Sequence, residues 1–341
     1  MSGIKKLENI LKGDFSGVKS TGLKQILDEE SIARVNDIPL SPNRLFAKKD
    51  FPVIWNFDDN SLEIFKNQHS EVIWCDNCGY YIIMDAIYMA LSALGLEPDD
   101  VGFASGIGCS GRASGYPNSE GIHVAHGLAN PVAQGWAMVS DKLIISIGGD
   151  GDKLSIGFQY ETSSGLRNVK YVDLIFDNNE FALTGQQSSS TTEKLAKKGT
   201  LLMGGEISNN ENYLNPIESA LQGRAGFVAR SVVQPKAVQE LAYILSRAFL
   251  FNGYSMVHLL SPCVISPNIV KKHNWGNKKY IPPDHDVTSI EDAYSLAVDP
   301  ETLYKGIFRL YPGRETYQQR HKRHAEELKP NRTENRLSLY E

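Results

Sequence analysis

The chain has no apolar run long enough to cross a membrane. Its most hydrophobic helical stretch, Tyr80–Leu96, is interrupted by Asp85 and stops at Gly95-Leu96-Glu97-Pro98. A spanning helix needs about 20 apolar residues, so this stretch reads as a buried core helix. An apolar N-terminal region is also missing: Met1 to Leu11 is polar and charged, which argues against a secretory signal. Charge of neither sign dominates, with 35 Lys and Arg against 40 Asp and Glu and a formal net charge of −5. That balance gives no reason to expect nucleic-acid binding. No internal repeat is evident. Cysteine is scarce, at four residues. In the cytoplasmic setting these features suggest, a Cys-x2-Cys pair is expected to bind metal or do redox work rather than form a structural disulfide.

What is present is ordinary for a soluble globular chain: 41% hydrophobic and 22% charged over 341 residues, enough to bury a large core. Residues 1–70 read as an N-terminal extension, polar at first, perforated by Pro39-Leu40-Ser41-Pro42, and wrapping the domain or a partner. Glu71–Trp74 reads as a short strand leading into the first Cys pair. The helix after it is expected to bury Tyr81, Ile82, Met84, Ala86, Ile87, Ala90, Leu91 and Leu94. Val101–Ala104 reads as a strand and His126–Val139 as a helix. Leu143–Ile147 and Tyr171–Phe176 are continuously apolar, as strands buried on both faces of a parallel sheet are, and Leu154–Leu166 supplies the helix between them. This is a βαβ unit with a right-handed crossover. Phe227–Arg230 and Tyr254–Leu260 follow as strands around a Lys236–Asn252 helix, and a charged run over Arg314–Lys329 forms a solvated helix or tail. The fold class is therefore α/β, a mostly parallel sheet with helices on both faces. The site-bearing domain spans 71–265, and 266–341 forms a C-terminal segment and tail.

Gly149-Asp150-Gly151 ends one apolar strand, and Asp177-Asn178-Asn179 ends the next. In open α/β sheets ligands bind outside the carboxyl ends of the strands. Gly149 and Gly151 let backbone approach a phosphate without a Cβ in the way. The Asp150 carboxylate suits Mg²⁺, which keeps substrate phosphates in its coordination sphere. Asn178 adds a carbonyl oxygen, and a backbone oxygen near Glu180 completes the set. Gly-Asp-Gly alone is also common turn chemistry. The spacing GDG-x26-Asn, tying two consecutive strand ends, is more specific and is similar to the signature for thiamine diphosphate.

Cys75 and Cys78 stand in WCDNCG, Cys109 in GIGCSGR and Cys263 in SPC. The Cys-x2-Cys pair alone favours zinc over iron–sulfur. A structural zinc ribbon, however, usually supplies its second pair as another Cys-x2-Cys, and Cys109 and Cys263 stand singly at separate strand ends. Iron–sulfur clusters are held by cysteine thiolates, while an ordinary buried thiol is the plain alternative for these two.

With both signatures in view, the sequence resembles the thiamine-diphosphate-binding β chain of 2-oxoacid:ferredoxin oxidoreductases. The likeness covers about 71–265 and weakens up to about 318. WCDNCG stands where the family has WCPGCG, and GIGCSGR matches its GIGCS. GIHVAHGLANPVAQG is similar to its H-x-x-HGRA-x-P-x-A-x-G stretch. GGDGDKLSIG followed by RNVKYVDLIFDNNEFALTGQQSSSTT resembles its GDGD-x-x-x-IG…RN…DN…Y-x-x-T-x-x-Q-x-S-x-TT run. Departures are Asp76 and Asn77 for Pro-Gly, Leu128 for Arg, Phe181 for Tyr and Gln186 for Gly. They leave the cofactor assignment intact and the substrate open.

The resemblance implies a β subunit of a 2-oxoacid:ferredoxin oxidoreductase. Such an enzyme performs coenzyme A-dependent oxidative decarboxylation of pyruvate or 2-oxoglutarate, or the reverse carboxylation. It assigns Cys75, Cys78, Cys109 and Cys263 to one 4Fe–4S cluster, and Asp150, Asn178 and the Glu180 backbone oxygen to Mg²⁺. Ile107, Gly108, Cys109 and Ser110, with Gly149, Gly151 and Asp152, would line thiamine diphosphate, as would Ala182, Leu183 and Thr184. His126 and Gly127 would border the reaction centre with His126 catalytic; a satisfied histidine at a helix N-terminus is the plainer reading. The carboxylate that deprotonates thiamine would come from an α subunit, and electrons would leave to ferredoxin. The competing expectation is a non-redox thiamine-diphosphate decarboxylase with zinc or free thiols.

Overall fold

Strands that are apolar on both sides need cover on both faces, and this requirement sets the architecture. In the computed structural model, residues 2–20, 23–25, 27, 43, 60–194, 196–200, 205–261, 263–266 and 278–337 are described. Eight strands form one sheet: β1 (Val101–Ser105), β2 (Glu120–His123), β3 (Leu143–Gly149), β4 (Tyr171–Asp177), β7 (Phe227–Val232), β8 (Tyr254–Leu260), β9 (Lys279–Tyr280) and β10 (Tyr304–Leu310). Their order is β2-β1-β3-β4-β8-β7-β10-β9. Every pairing is parallel except β7 with β10. A separate antiparallel pair, β5 (Lys197–Thr200) and β6 (Gly205–Ser208), lies outside it. The mostly parallel α/β sheet expected from the sequence is what forms.

Side chains alternate across the pleat. Val172, Leu174 and Phe176 of β4 enter one core, with α1 (Gly3–Leu11), α2 (Gly79–Ala93) and α6 (Val238–Leu250). Tyr171 and Ile175 enter the other, under α3 (Ala129–Val139), α5 (Pro216–Gln222) and α7 (Ile290–Ala297). Helix α4 (Phe158–Arg167) lies beside α3 and α5 and carries the β3-to-β4 crossover.

Several local expectations are corrected. Glu71–Trp74 forms no strand; the segment is held by Trp74, whose indole N–H donates to the Cys109 carbonyl (2.7 Å) and whose ring meets Tyr80, Tyr81 and Tyr116 edge-on. The buried face of α2 runs through Tyr80, Ile83, Ile87 and Leu91, leaving Tyr81 and Ile82 half-buried. The helix expected from His126 starts at Ala129, because Gly127 turns with φ 81°. The expected Leu154–Leu166 helix is broken at Gly157: a wide turn over Gly151–Ile156 precedes α4, and a Cβ on Gly157 would lie 2.7 Å from the Gly127 carbonyl. The antiparallel β10 was absent from the sequence reading.

The two ends of the chain are tied in more firmly than their polarity suggests. Leu7 and Ile10 of α1, with Phe15, Leu23 and Leu27, are buried in the core, and Lys6 pairs with Asp100 at 2.5 Å. Pro39–Pro42 lies outside the described residues. At the other end the charged run forms α8 (Tyr317–Leu337). Just before and within it, Arg314 donates to the carbonyls of Gly165 (2.9 Å) and Leu166 (3.0 Å), and Arg320 to that of Arg167 (2.5 Å). These guanidinium groups satisfy the C-terminal carbonyls of α4 and oppose its dipole.

If α1 is part of the core, Leu7→Ala is expected to lower unfolding free energy by about 3 kcal/mol, the usual cost of emptying a buried Leu site. Urea denaturation checks this. A change near zero would show that α1 is a detachable tail.

Candidate functional site

Parallel register brings four chain-distant segments to one edge. Ser105 pairs with Ile147, Gly149 with Phe176, and Asp177 with Leu260. The loops leaving β1, β3, β4 and β8 therefore start side by side, at the position where open α/β sheets bind ligands. Between the first three of them is an open pocket with about 480 Å³ of free space, its solvent-open mouth included. Ile107, Gly108, Cys109 and Ser110 line it from the β1 loop, and Gly149, Asp150, Gly151 and Asp152 from the β3 loop. The β4 loop contributes Asn178, Glu180, Ala182, Leu183 and Thr184, and His126 faces it from the turn before α3. Gly127 lies just behind His126. Tyr80 and Phe181 also line the pocket and were not expected from the sequence. Phe181 lies so close over Gly151 that a Cβ there would overlap its ring.

Asp150 is 1% exposed. Its Oδ2 accepts from the Ser189 hydroxyl and lies 2.9 Å from Thr191 Oγ1. The same Thr191 oxygen is 2.9 Å from Asp177 Oδ1, so one hydroxyl proton serves two buried carboxylates. Burial first, and the neighbouring Asp177 second, push the Asp150 carboxyl up to about 8. A divalent ion ligated by Asp150 would offset both causes by stabilising the carboxylate. Asn178 is buried, with its side-chain oxygen 3.3 Å from the Glu180 N–H. The residues thus fit a metal-bound diphosphate.

Behind Asp177 lies a chain that the sequence reading missed. Arg230 Nε–H donates to His258 Nδ1 (3.0 Å), so His258 carries its proton on Nε2 and donates to Asp177 Oδ2 (2.7 Å). All three side chains are buried, and burial lowers the His258 pKa. Each lies in or at the end of a different strand, and only the pairing of β4, β7 and β8 joins them.

The cysteines gather less tightly. Cys75 is exposed, and Cys78, Cys109 and Cys263 are half-buried, all with free thiols. Burial raises Cys78, takes Cys109 to about 11 with help from Cys78 and Cys75, and takes Cys263 to about 12 with help from Glu180. Cys75, Cys78 and Cys109 are thus electrostatic neighbours, while Cys263 faces the buried Glu180. Gly79 lets the start of α2 lie against Ser261 at the end of β8, since a Cβ there would overlap the Ser261 hydroxyl. Among the described residues no three His, Cys, Asp or Glu converge on a point that could hold one metal ion. The donor type suits a thiolate-held cluster, which is wider than a single ion.

Comparison with known proteins agrees with the pocket. Residues 106–259 match the thiamine pyrophosphate enzyme family, C-terminal TPP binding domain. The chain is 34% identical over 210 residues to 2-oxoacid:ferredoxin oxidoreductase 2, subunit beta, of Aeropyrum pernix, covering 61% of this chain and 66% of that one, just under two thirds. It is 30% identical over 261 residues to 2-oxoacid:ferredoxin oxidoreductase 1, subunit beta, of the same organism, covering 72% and 80%. A 2-oxoglutarate:ferredoxin oxidoreductase from Magnetococcus marinus, solved with 2-oxoglutarate, coenzyme A and succinyl-CoA bound, superposes with a TM-score of 0.71 at 28% identity. That alignment covers 80% of this chain and 92% of that one. Among the described residues no helix is long and apolar enough to cross a membrane.

The Asp150 shift has a thermodynamic consequence for the metal-free chain. Folded Asp150 keeps its proton up to about pH 8, whereas unfolded Asp releases it near pH 4. Between these values the folded state holds more protons, so this group's stabilisation is full below about pH 4 and is lost as pH rises through about 8. Asp150→Asn is expected to gain in Tm over the parent progressively from about pH 5 to pH 8, and Mg²⁺ with thiamine diphosphate to close that gap. A pH-independent difference in melting scans would contradict the assignment.

Proposed function

This chain belongs to the β subunits of the 2-oxoacid:ferredoxin oxidoreductases, and on that premise we propose that it holds thiamine diphosphate, Mg²⁺ and a 4Fe–4S cluster for the coenzyme A-dependent oxidative decarboxylation of a 2-oxoacid, or its reverse. The observation that carries the reading is a diphosphate-type pocket at the ends of β3 and β4 with Cys109 in its lining and Cys78 and Cys75 as the electrostatic neighbours of that thiol. Asp150 and Asn178 with the Glu180 backbone oxygen hold the cation. The glycines at 108, 149 and 151 admit the diphosphate, and Ile107, Ser110 and Ala182–Thr184 line the rest. Cys75, Cys78, Cys109 and Cys263 hold the cluster. Thiamine diphosphate when bound supplies the carbanion chemistry, and the protein orients it and provides the electron exit. The substrate is pyruvate or 2-oxoglutarate, the acceptor is ferredoxin and the setting is the cytoplasm. The non-redox decarboxylase reading is not favoured by the relatives.

The family names the chain a β subunit, and the surface suits an α partner. Ile73, Leu183 and Ile265, exposed at 63%, 64% and 58%, stand near the Cys loops and the pocket mouth, where exposed apolar side chains mark an association surface. Among the described residues the pocket lining includes no Lys or Arg, and the α partner is proposed to supply the cation for a substrate carboxylate.

Anaerobic co-purification with the α subunit is expected to give brown protein that reduces viologen dye with pyruvate or 2-oxoglutarate plus coenzyme A, and the β chain alone to give no turnover. Colourless, iron-free protein after anaerobic reconstitution overturns the redox reading. Zinc with acceptor-independent aldehyde release would support the decarboxylase instead. In a second measurement, Cys263→Ser is expected to lose or destabilise the cluster, read by iron content and absorbance, while Mg²⁺-dependent thiamine diphosphate binding survives. An unaffected cluster places its fourth ligand elsewhere.

A further inference from the structure

Asp152 makes contacts that lining a cofactor does not require. Its Oδ1 accepts three hydrogen bonds: from the Ile107 N–H (3.0 Å), the Gly127 N–H (2.8 Å) and His126 Nδ1–H (2.7 Å). The carboxylate is 2% exposed, and Oδ2 is buried without a partner. Two glycines make room for it. A Cβ on Gly106 would overlap the carboxylate, and one on Gly148 would lie 2.5 Å from Oδ2. The imidazole that Asp152 grips is partly open, with a side-chain exposure of 34%. It lines the pocket, and its ring is set edge-on against Phe181 at 6.2 Å. With Nδ1 committed to the carboxylate, Nε2 is the nitrogen left to the pocket.

We propose that Asp152 is the positioning residue for His126: it holds the Nδ1–H bond and aims Nε2 at the carbonyl oxygen of the bound 2-oxoacid; Nε2 takes a proton from water, gives it to that oxygen as the C=O bond becomes C–OH, and takes it back when the C=O bond re-forms. This rests on the proposed function and assigns Asp152 a role through His126 rather than on the cofactor. The same carboxylate ties the β1 loop at Ile107 to the turn at Gly127. One buried oxygen therefore sets the distance between the loop that borders the cofactor and the histidine that faces the substrate. A carboxylate on the far nitrogen of a histidine selects which nitrogen is free to act, and a positioned histidine contributes about 10²–10⁴-fold to proton transfer.

The test uses the αβ complex with three variants: Asp152→Asn, His126→Gln and the double variant. Thiamine diphosphate content, steady-state rate and the ¹⁵N spectrum of the histidine-labelled chain are measured. Asn keeps an oxygen for the two backbone donors, so the fold is expected to survive. Asp152→Asn should retain the cofactor and slow turnover about 100-fold, the lower end of what a positioned acid–base group supplies. The double variant should be no slower than His126→Gln alone, since two residues acting as one unit are not additive. The parent spectrum should show one histidine with the Nδ1–H pattern that disappears in His126→Gln. Three results overturn the proposal: equal loss from Asp152→Asn with and without His126, loss of thiamine diphosphate in Asp152→Asn, or an Nε2–H tautomer at His126 in the parent. A parent complex that binds no thiamine diphosphate overturns the proposed function itself, which separates the two failures.

Discussion

Two acids, Asp150 and Asp177, are forced into the interior at adjacent strand ends with a single Thr191 hydroxyl between them. Most of the site follows from that constraint. Strands β3 and β4 end there because their apolar stretches do, and the parallel ladder that pairs Gly149 with Phe176 leaves no freedom to separate the loops. The protein answers the charge on one side only. Among the described residues Asp177 receives the His258 imidazole, Thr191 and a backbone N–H, whereas Asp150 has the Ser189 and Thr191 hydroxyls and its own backbone N–H. The asymmetry suits Asp150 to the cation proposed above.

This arrangement was partly legible in the sequence. The continuously apolar strands, the Gly-Asp-Gly turn and Asn178 at its spacing are local signals, and the structure puts them where those signals point. What the sequence hid is lateral. Arg230 and His258 read as a polar interruption in two apolar strands, and nothing in their own neighbourhoods says that β7 and β8 will set them beside Asp177. The antiparallel β10 was hidden because its half-polar sequence carries no strong period, and burial there comes from β7 and α7. The N-terminal segment read as polar because its few apolar residues are outnumbered, yet Leu7, Leu23 and Leu27 are the ones that pack. The resemblance puts Asp152 in the cofactor lining, and it does border the pocket. Its carboxylate also reaches back to His126, a direction that only the wide turn at Gly151–Ile156 reveals.

The cysteines illustrate the opposite case, where motif spacing carried more than geometry does. Their loops lie at one edge of the domain, and burial holds three of the thiols above their ordinary pKa. A buried thiol surrounded by apolar rings stays protonated until something positive replaces the proton. Low intrinsic reactivity and high suitability as a cluster ligand are therefore compatible, and Trp74, packed edge-on against Tyr80, Tyr81 and Tyr116, fixes the backbone at Cys109 through its carbonyl.

Gly79 has a further consequence for how such a chain can change over generations. It touches neither pocket nor thiol, yet the missing methyl is what lets the start of α2 lie against Ser261. Two stretches nearly two hundred positions apart in the sequence thus meet at one codon. A replacement there has the Ser261 hydroxyl swing to another rotamer and presses on the Val233 methyl, 3.1 Å from the added carbon. Position 79 therefore bears on packing nearly two hundred positions away, although a survey of ligand-binding residues would pass it over.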